Sequence, residues 1–205
     1  MLAPLFEKFK GRLPEVRPDE VKLYSAHFEV LKKWNEKMGL VSRKSIDQSF
    51  ENHYADSLII SDFAAHHSDA QNVFDLGSGA GFPGIIFAIR YPDRHATLFE
   101  KMLKKQTFLA AALTHLDLKN VTLLGAMPEE RREGLFLGRA VMPRDEIFPF
   151  LEKRMEKGSR FVSNLGGGAS DFSPSKKFQL VAEKKYTLPE NAGDRRIEIY
   201  EYRST

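Results

Sequence analysis

Cysteine is absent from the 205 residues, and tryptophan occurs once. The first absence excludes disulfide frameworks, cysteine-based zinc sites and every mechanism that uses a cysteine nucleophile. It suits a reducing compartment, so a cytoplasmic location is expected. No run of about 18 apolar residues exists, which excludes a membrane-spanning helix, and no membrane partner is expected. The first ten residues interrupt their apolar positions with charge and do not read as a secretory signal. A surplus of one charge sign is nearly missing too: 31 Lys and Arg face 28 Asp and Glu, a net +3. That balance permits contact with nucleic acid without demanding it. What is present, 42% hydrophobic and 29% charged residues, suits one globular domain with a short appendage and a single core. A monomer is expected.

Periodicity divides the chain. Leu2, Leu5, Phe6, Phe9 and Leu13 share one helical face and predict a short docking helix. Val21, Tyr24, Phe28, Leu31 and Met38 recur at helical spacing with charge between them, which predicts a longer amphipathic helix. Asp19, after Pro18, is its expected N-cap and Gly39 its stop. Ser45 with Gln48 forms a capping-box pattern opening another helix through about Ile60. From about residue 71 the pattern changes. Strands are predicted at 72–76, 96–100, 121–124, 135–137 and 160–163, with helices at 83–91, 103–115 and 145–157. Such alternation argues for an α/β fold with a parallel sheet covered on both faces. Stretches 178–186 and 196–202 have no helix between them and predict a terminal antiparallel pair. The expected division is a helical extension over 1–63 and an α/β core over 64–205.

The most informative segment is Asp75-Leu-Gly-Ser-Gly-Ala-Gly-Phe-Pro-Gly84 at the end of the first strand. Glycines let a backbone pass close to a nucleotide, and the helix that follows adds N–H donors. Four glycines between 77 and 84 are costly for packing alone. Glu100, at the tip of the next strand, can accept both hydroxyls of a ribose. Two cofactors fit. Residues 79–84 spell G-x-G-x-x-G with an acid about 20 residues on, as a dinucleotide fold would have it. Residues 75–81 spell D-x-G-x-G-x-G, which suits S-adenosylmethionine. A carboxylate at Asp75 would sit awkwardly beside a pyrophosphate and comfortably near a sulfonium end, so it favours the second.

Several blocks then occur in order: Leu31-Lys-Lys-Trp-Asn35, His53-Tyr-Ala-Asp-Ser57, the Asp75–Gly84 turn, Arg139-Ala140, Gly158-Ser-Arg-Phe161 and Gly193-Asp-Arg195. With them the chain resembles the bacterial small-subunit rRNA guanine-N7 methyltransferases, also called glucose-inhibited division protein B. The likeness spans about residues 21–202. It implies a class I (Rossmann-like) methyltransferase sheet with an N-terminal helical extension. It also implies S-adenosylmethionine as methyl donor, S-adenosylhomocysteine as product, no metal, and small-subunit rRNA or the ribosomal subunit as partner. Position by position, it implies cofactor contacts at Gly77 and Phe82 and an adenine border at Pro128 and Glu129. It places Arg139 at the active centre and Arg195 on the last hairpin. With Asp75 and Gly79 of the turn and Glu100 of the next strand's tip, Gly77, Phe82, Pro128, Glu129 and Arg139 form the expected cofactor site, and Arg139 and Arg195 are the expected catalytic pair. Four departures stand out. Met127 and Leu165 replace basic residues usual in relatives, Gly134 replaces an aspartate, and Gly39-Leu-Val41 replaces Asn-Leu-Thr.

The chemistry is compatible. Guanine N7 carries a lone pair and no proton, so it can attack a methyl carbon directly once aligned, with no general base. Arginine suits the guanine edge or a phosphate. C5-pyrimidine methylation commonly uses a cysteine adduct, which this chain cannot form. Amino methylation of adenine usually shows an Asn/Asp-Pro-Pro-aromatic segment where Gly138-Arg-Ala-Val stands here. Two other functions fit the residues: an S-adenosylmethionine-binding paralogue that is non-catalytic or has an altered substrate, and a dinucleotide-dependent oxidoreductase. Elsewhere, His66-His67 reads as surface loop rather than metal pair. His53 and Asp56 share a helical face and read as a hydrogen-bonded link between extension and core. Trp34-Asn35 reads as core or helix cap. Lys101, Lys104 and Lys105 suit either RNA phosphates or a solvated face. The pairs Arg131-Arg132, Lys176-Lys177 and Lys184-Lys185 read as solvated surface, and Gly166-Gly-Gly168 as a substrate-side loop.

Overall fold

A computed structural model describes residues 2–41, 46, 48–139, 141–166 and 174–204. Ser45 of the expected capping box, Ala140 and the Gly167-Gly168 part of the expected loop lie outside the described residues.

The chain opens with α1 (Ala3–Lys8) and α2 (Pro18–Met38). Pro18 takes the first helical position of α2, where its missing N–H costs nothing. The N-cap is therefore Arg17 rather than Asp19, and the Arg17 N–H donates to the Glu20 carboxylate at 2.9 Å. Gly39, at φ +60°, closes the helix, and the Asn35 amide oxygen accepts the Val41 N–H at 2.8 Å. Trp34 packs edge-on to Phe108, as a core residue. A π-helical stretch, Phe50–Ala55, leads into α3 (Asp56–His66). The helix passes its expected end near Ile60 because Leu58, Ile59, Ile60 and Ala64 are all buried.

The core alternates as the sequence predicts: β1 (Asn72–Leu76), α4 (Gly84–Arg90), β2 (His95–Phe99), α5 (Leu103–Leu116), β3 (Val121–Leu124), β4 (Leu135–Arg139), α6 (Arg144–Glu152), β5 (Arg160–Gly166), β6 (Phe178–Thr187) and β7 (Asp194–Tyr202). The seven strands lie in the order β3-β2-β1-β4-β5-β7-β6. β1 to β5 pair in parallel and β7 runs antiparallel between β5 and β6. A dinucleotide fold has a sixth parallel strand where this chain inserts β7. The register of edge strand β6 shifts between Leu180 and Ala182.

The extension is fastened to the core by packing and charge. Phe6, Phe9, Tyr24, Leu31, Phe50 and Tyr54 share one apolar cluster with Ile85 and Phe108 of the core. Arg90 of α4 reaches buried Glu20 of α2 at 3.1 Å and also bonds Asp62 of α3.

At the start of β4, Gly134 is required by this packing. A Cβ there would lie 2.6 Å from the Asn72 carbonyl oxygen and 2.7 Å from the Phe74 ring. Gly134→Asp is expected to destabilise the fold by about 2 kcal/mol or more. A urea-unfolding midpoint equal to wild type would contradict this account.

Candidate active site

The glycine turn, the segments that follow β2 and β3, and residues 141–142 beyond β4 line a cavity of about 300 Å³ at the C-terminal edge of the parallel strands. This is where open α/β sheets place their ligands. Gly77 forms part of its floor at φ +65°, and a side chain there would press on Val141 at 3.2 Å. Phe99, Met102, Met127, Val141, Met142 and Phe150 give the cavity an apolar wall, while Glu100 gives it a carboxylate. Lys101 and Lys105 stand at its edge, beside exposed Met102 and Leu103.

Glu100 is almost buried and held at both oxygens. One accepts the Gly79 N–H and the other the Met102 N–H, each at 2.9 Å. A carboxylate has about four lone-pair positions, so two remain to accept a pair of vicinal hydroxyls. The residues present therefore fit a nucleoside cofactor: an acceptor pair, an open glycine floor and an apolar slot. The Ser78 N–H donates to the Phe99 carbonyl at 3.1 Å and ties the turn to β2.

Other expected cofactor residues sit elsewhere. Asp75 is fully buried behind the turn and accepts the Gly84 N–H at 3.1 Å, so it anchors the start of α4 rather than lining the cavity. Burial pushes its carboxyl up to about 7. Phe82 also points away from the cavity. Its ring stacks on His53 at 5.0 Å, meets Tyr54 and His27 edge-on at 5.1 and 5.3 Å, and carries the Arg139 guanidinium at 5.4 Å. Pro128 and Glu129 are exposed just beyond Met127, which itself forms cavity wall. Glu129 pairs with Arg154 at 3.5 Å. That guanidinium lies 3.8 Å from the centre of the Phe150 ring, and its Nε–H donates to the Met127 carbonyl at 3.4 Å.

Arg139 ends β4 and turns into the extension. Its Nη1 donates to the Asn52 carbonyl at 2.9 Å and to Asp56 at 3.2 Å, and its Nη2 lies 3.1 Å from His53 Nδ1. The expected His53–Asp56 link is thus present, with both residues on Arg139. Arg195 is paired in register with Tyr186, whose hydroxyl donates to Asp56 at 2.6 Å. Arg139 meets that carboxylate directly, whereas the Arg195 guanidinium donates to the Asp194 carbonyl at 3.0 Å.

Sequence reasoning missed His27, Tyr54, Asn164 and Tyr186. His27 carried a usable signal, falling three residues after Tyr24 on the buried stripe of α2. It is fully buried, 2.7 Å from the Tyr54 hydroxyl, and burial lowers it to about 4. Burial, then the charge of Arg139, lowers His53 to about 3. His66 and His67 close α3, and His67 Nδ1 bonds the Phe63 carbonyl. Arg131 is exposed, as expected, and also donates to the Met155 carbonyl at 2.6 Å and lies over Tyr202.

These groups give opposite pH slopes. Asp75 rises from 3.8 unfolded to about 7 folded, so its contribution to stability falls as pH climbs through that interval. His27 and His53 drop from 6.5 to about 4 and about 3, so theirs falls as pH descends below 6.5. Asp75 therefore offsets one histidine. Asp75→Asn is expected to steepen acid destabilisation between about pH 6.5 and 4.5 by about 1.4 kcal/mol per pH unit. Urea midpoints across that range check it, and a wild-type slope would overturn it.

A family profile described as rRNA small subunit methyltransferase G (GidB) matches residues 20–189. The protein of that name from Bacteroides fragilis is 33% identical over 144 residues, covering 69% of each chain. The one from Lysinibacillus sphaericus is 28% identical over 210 residues, covering 95% of this chain and 88% of its own. Among solved structures, a putative O-methyltransferase from Klebsiella pneumoniae superposes with TM-score 0.62 at 9% identity, covering 98% of this chain and 97% of that one. A point mutant of MtNAS in complex with S-adenosylmethionine does so with TM-score 0.60 at 12% identity, covering 90% and 76%. The structural likenesses show the fold, and the sequence matches show the family: this chain belongs to the rRNA small subunit methyltransferase G family.

Proposed function

We propose that the protein transfers a methyl group from S-adenosylmethionine to N7 of a guanine in small-subunit ribosomal RNA. The observation that carries this reading is the Glu100 carboxylate, fixed by two backbone N–H groups at the edge of an apolar, glycine-floored cavity. In this reading Glu100 accepts the ribose hydroxyls. Gly77 admits the cofactor close to the backbone, and Met102, Met127 and Phe150 shape the adenine slot, with Pro128 and Glu129 bordering it. Gly79, Asp75 and Phe82 act behind the surface, holding the turn that presents Gly77. When bound, the cofactor supplies an electrophilic methyl group.

Guanine N7 needs alignment rather than deprotonation, and no metal. Among the described residues lining the cavity, Glu100 is the one carboxylate, and it is committed to binding. Arg139 and Arg195 are assigned to the RNA side, where a guanidinium can meet guanine O6 or a phosphate. In this reading residues 1–63 form a helical extension to a methyltransferase core at 64–205. The protein works as a monomer in the cytoplasm, on small-subunit RNA or the assembled subunit.

The test is transfer of labelled methyl to small-subunit RNA, or to subunits from cells lacking the protein, with mapping of the modified base. Label at a guanine N7 is expected. Donor binding without label in any RNA would replace this reading with that of a non-catalytic paralogue. Glu100→Gln is expected to weaken cofactor binding about tenfold, measured by calorimetry. An unchanged affinity would remove Glu100 from the site.

A further inference from the structure

We propose that Asp56, a residue of the helical extension, is the positioning residue for the RNA-side arginine Arg139. This rests on the function proposed above. Asp56 opens α3, and its side chain is 3% exposed. Three donors converge on it from three strands. Oδ2 accepts Arg139 Nη1 of β4 at 3.2 Å and Asn164 Nδ2 of β5 at 3.0 Å, and Oδ1 accepts the Tyr186 hydroxyl of β6 at 2.6 Å. A buried carboxylate so fully bonded holds its partners in one geometry.

The geometry at Arg139 is over-determined. Asp56 and the Asn52 carbonyl take Nη1, neutral His53 meets Nη2 through its Nδ1 lone pair, and Phe82 lies against the guanidinium. Only one edge of the fork is spent. The Nε–H and the second Nη2–H have no acceptor among the described residues, so they are the donors left for an oxygen of the substrate. Through Tyr186 the same carboxylate grips the β6–β7 pair at the point where Arg195 lies opposite. The extension therefore completes the substrate side of the site without touching the substrate. Its first two blocks, Trp-Asn and His-x-x-Asp-Ser, supply a helix cap and this anchor.

The network also explains why an ion pair stands where apolar packing would be cheaper. Replacing a buried pair by hydrocarbon often stabilises a fold, but it cannot orient a guanidinium.

Two variants test the proposal. Tyr186→Phe deletes one hydrogen bond and keeps the ring; Asp56→Asn keeps the shape and removes the charge. With small-subunit RNA, kcat/KM is expected to fall about fivefold to tenfold in Tyr186→Phe and about a hundredfold in Asp56→Asn. The cofactor Kd should stay within about twofold of wild type in both, because neither residue borders the cavity. Assays run well below each variant's Tm. A purely structural role would shift Tm and leave kcat and KM as in wild type, which would overturn the proposal.

A second readout does not depend on activity. The Nη protons of Arg139 should give separate, slowly averaging NMR signals in the wild type, and these should collapse in Asp56→Asn. Unaltered Arg139 signals in a folded Asp56→Asn protein would equally overturn the proposal. Wild-type protein that orders Arg139 yet methylates no RNA would instead refute the function it rests on.

Discussion

Everything at the cofactor edge depends on the enclosure of one ring. A turn with glycine at 77, 79, 81 and 84 has little side-chain volume to define its shape, and Phe82 is the one large residue within it. That ring is 3% exposed and is gripped by His27 from α2 and by His53 and Tyr54 from the π-helical stretch. The grip immobilises the backbone on either side, so Gly77 can face the cavity in a fixed conformation. The turn and the helical extension are thus one mechanical unit.

Much of the fold was legible from periodicity. Short apolar runs between helical patterns located each strand of the core to within a few residues, and the missing final helix announced the antiparallel β7. The site was legible where it rests on backbone: the glycine floor and the strand-tip position of Glu100. It was less legible where side-chain direction decides. Asp75 and Phe82 lie in the informative motif, yet both point away from the cavity, because Asp75 caps α4 from behind and Phe82 fills a pocket made by a distant segment. Spacing along the chain does not encode such directions. Nor does it reveal Tyr186 as a partner of Asp56, since the two are 130 positions apart.

The departures from relatives have different physical standing. Gly134 is dictated by the close approach of Asn72 and Phe74, so it belongs to the packing of this particular β1–β4 pair. Met127 makes the cavity wall apolar where a charge is usual. A guanidinium still stands nearby, that of Arg154, but it is spent on Glu129, Phe150 and the Met127 carbonyl. The structure offers no reason for Leu165.

The register shift in β6 bears on how the sheet meets its surroundings. An outermost strand exposes a row of unpaired N–H and C=O groups, and a straight one invites another chain to continue the ladder. Here Leu180 and Val181 are exposed at the irregularity, and Lys184 and Lys185 follow it. The kink breaks the even spacing that an incoming strand would need, and the lysines would bring their charge into any stacked copy. The exposed apolar pair on this open flank is in this way a poor template for extending the sheet.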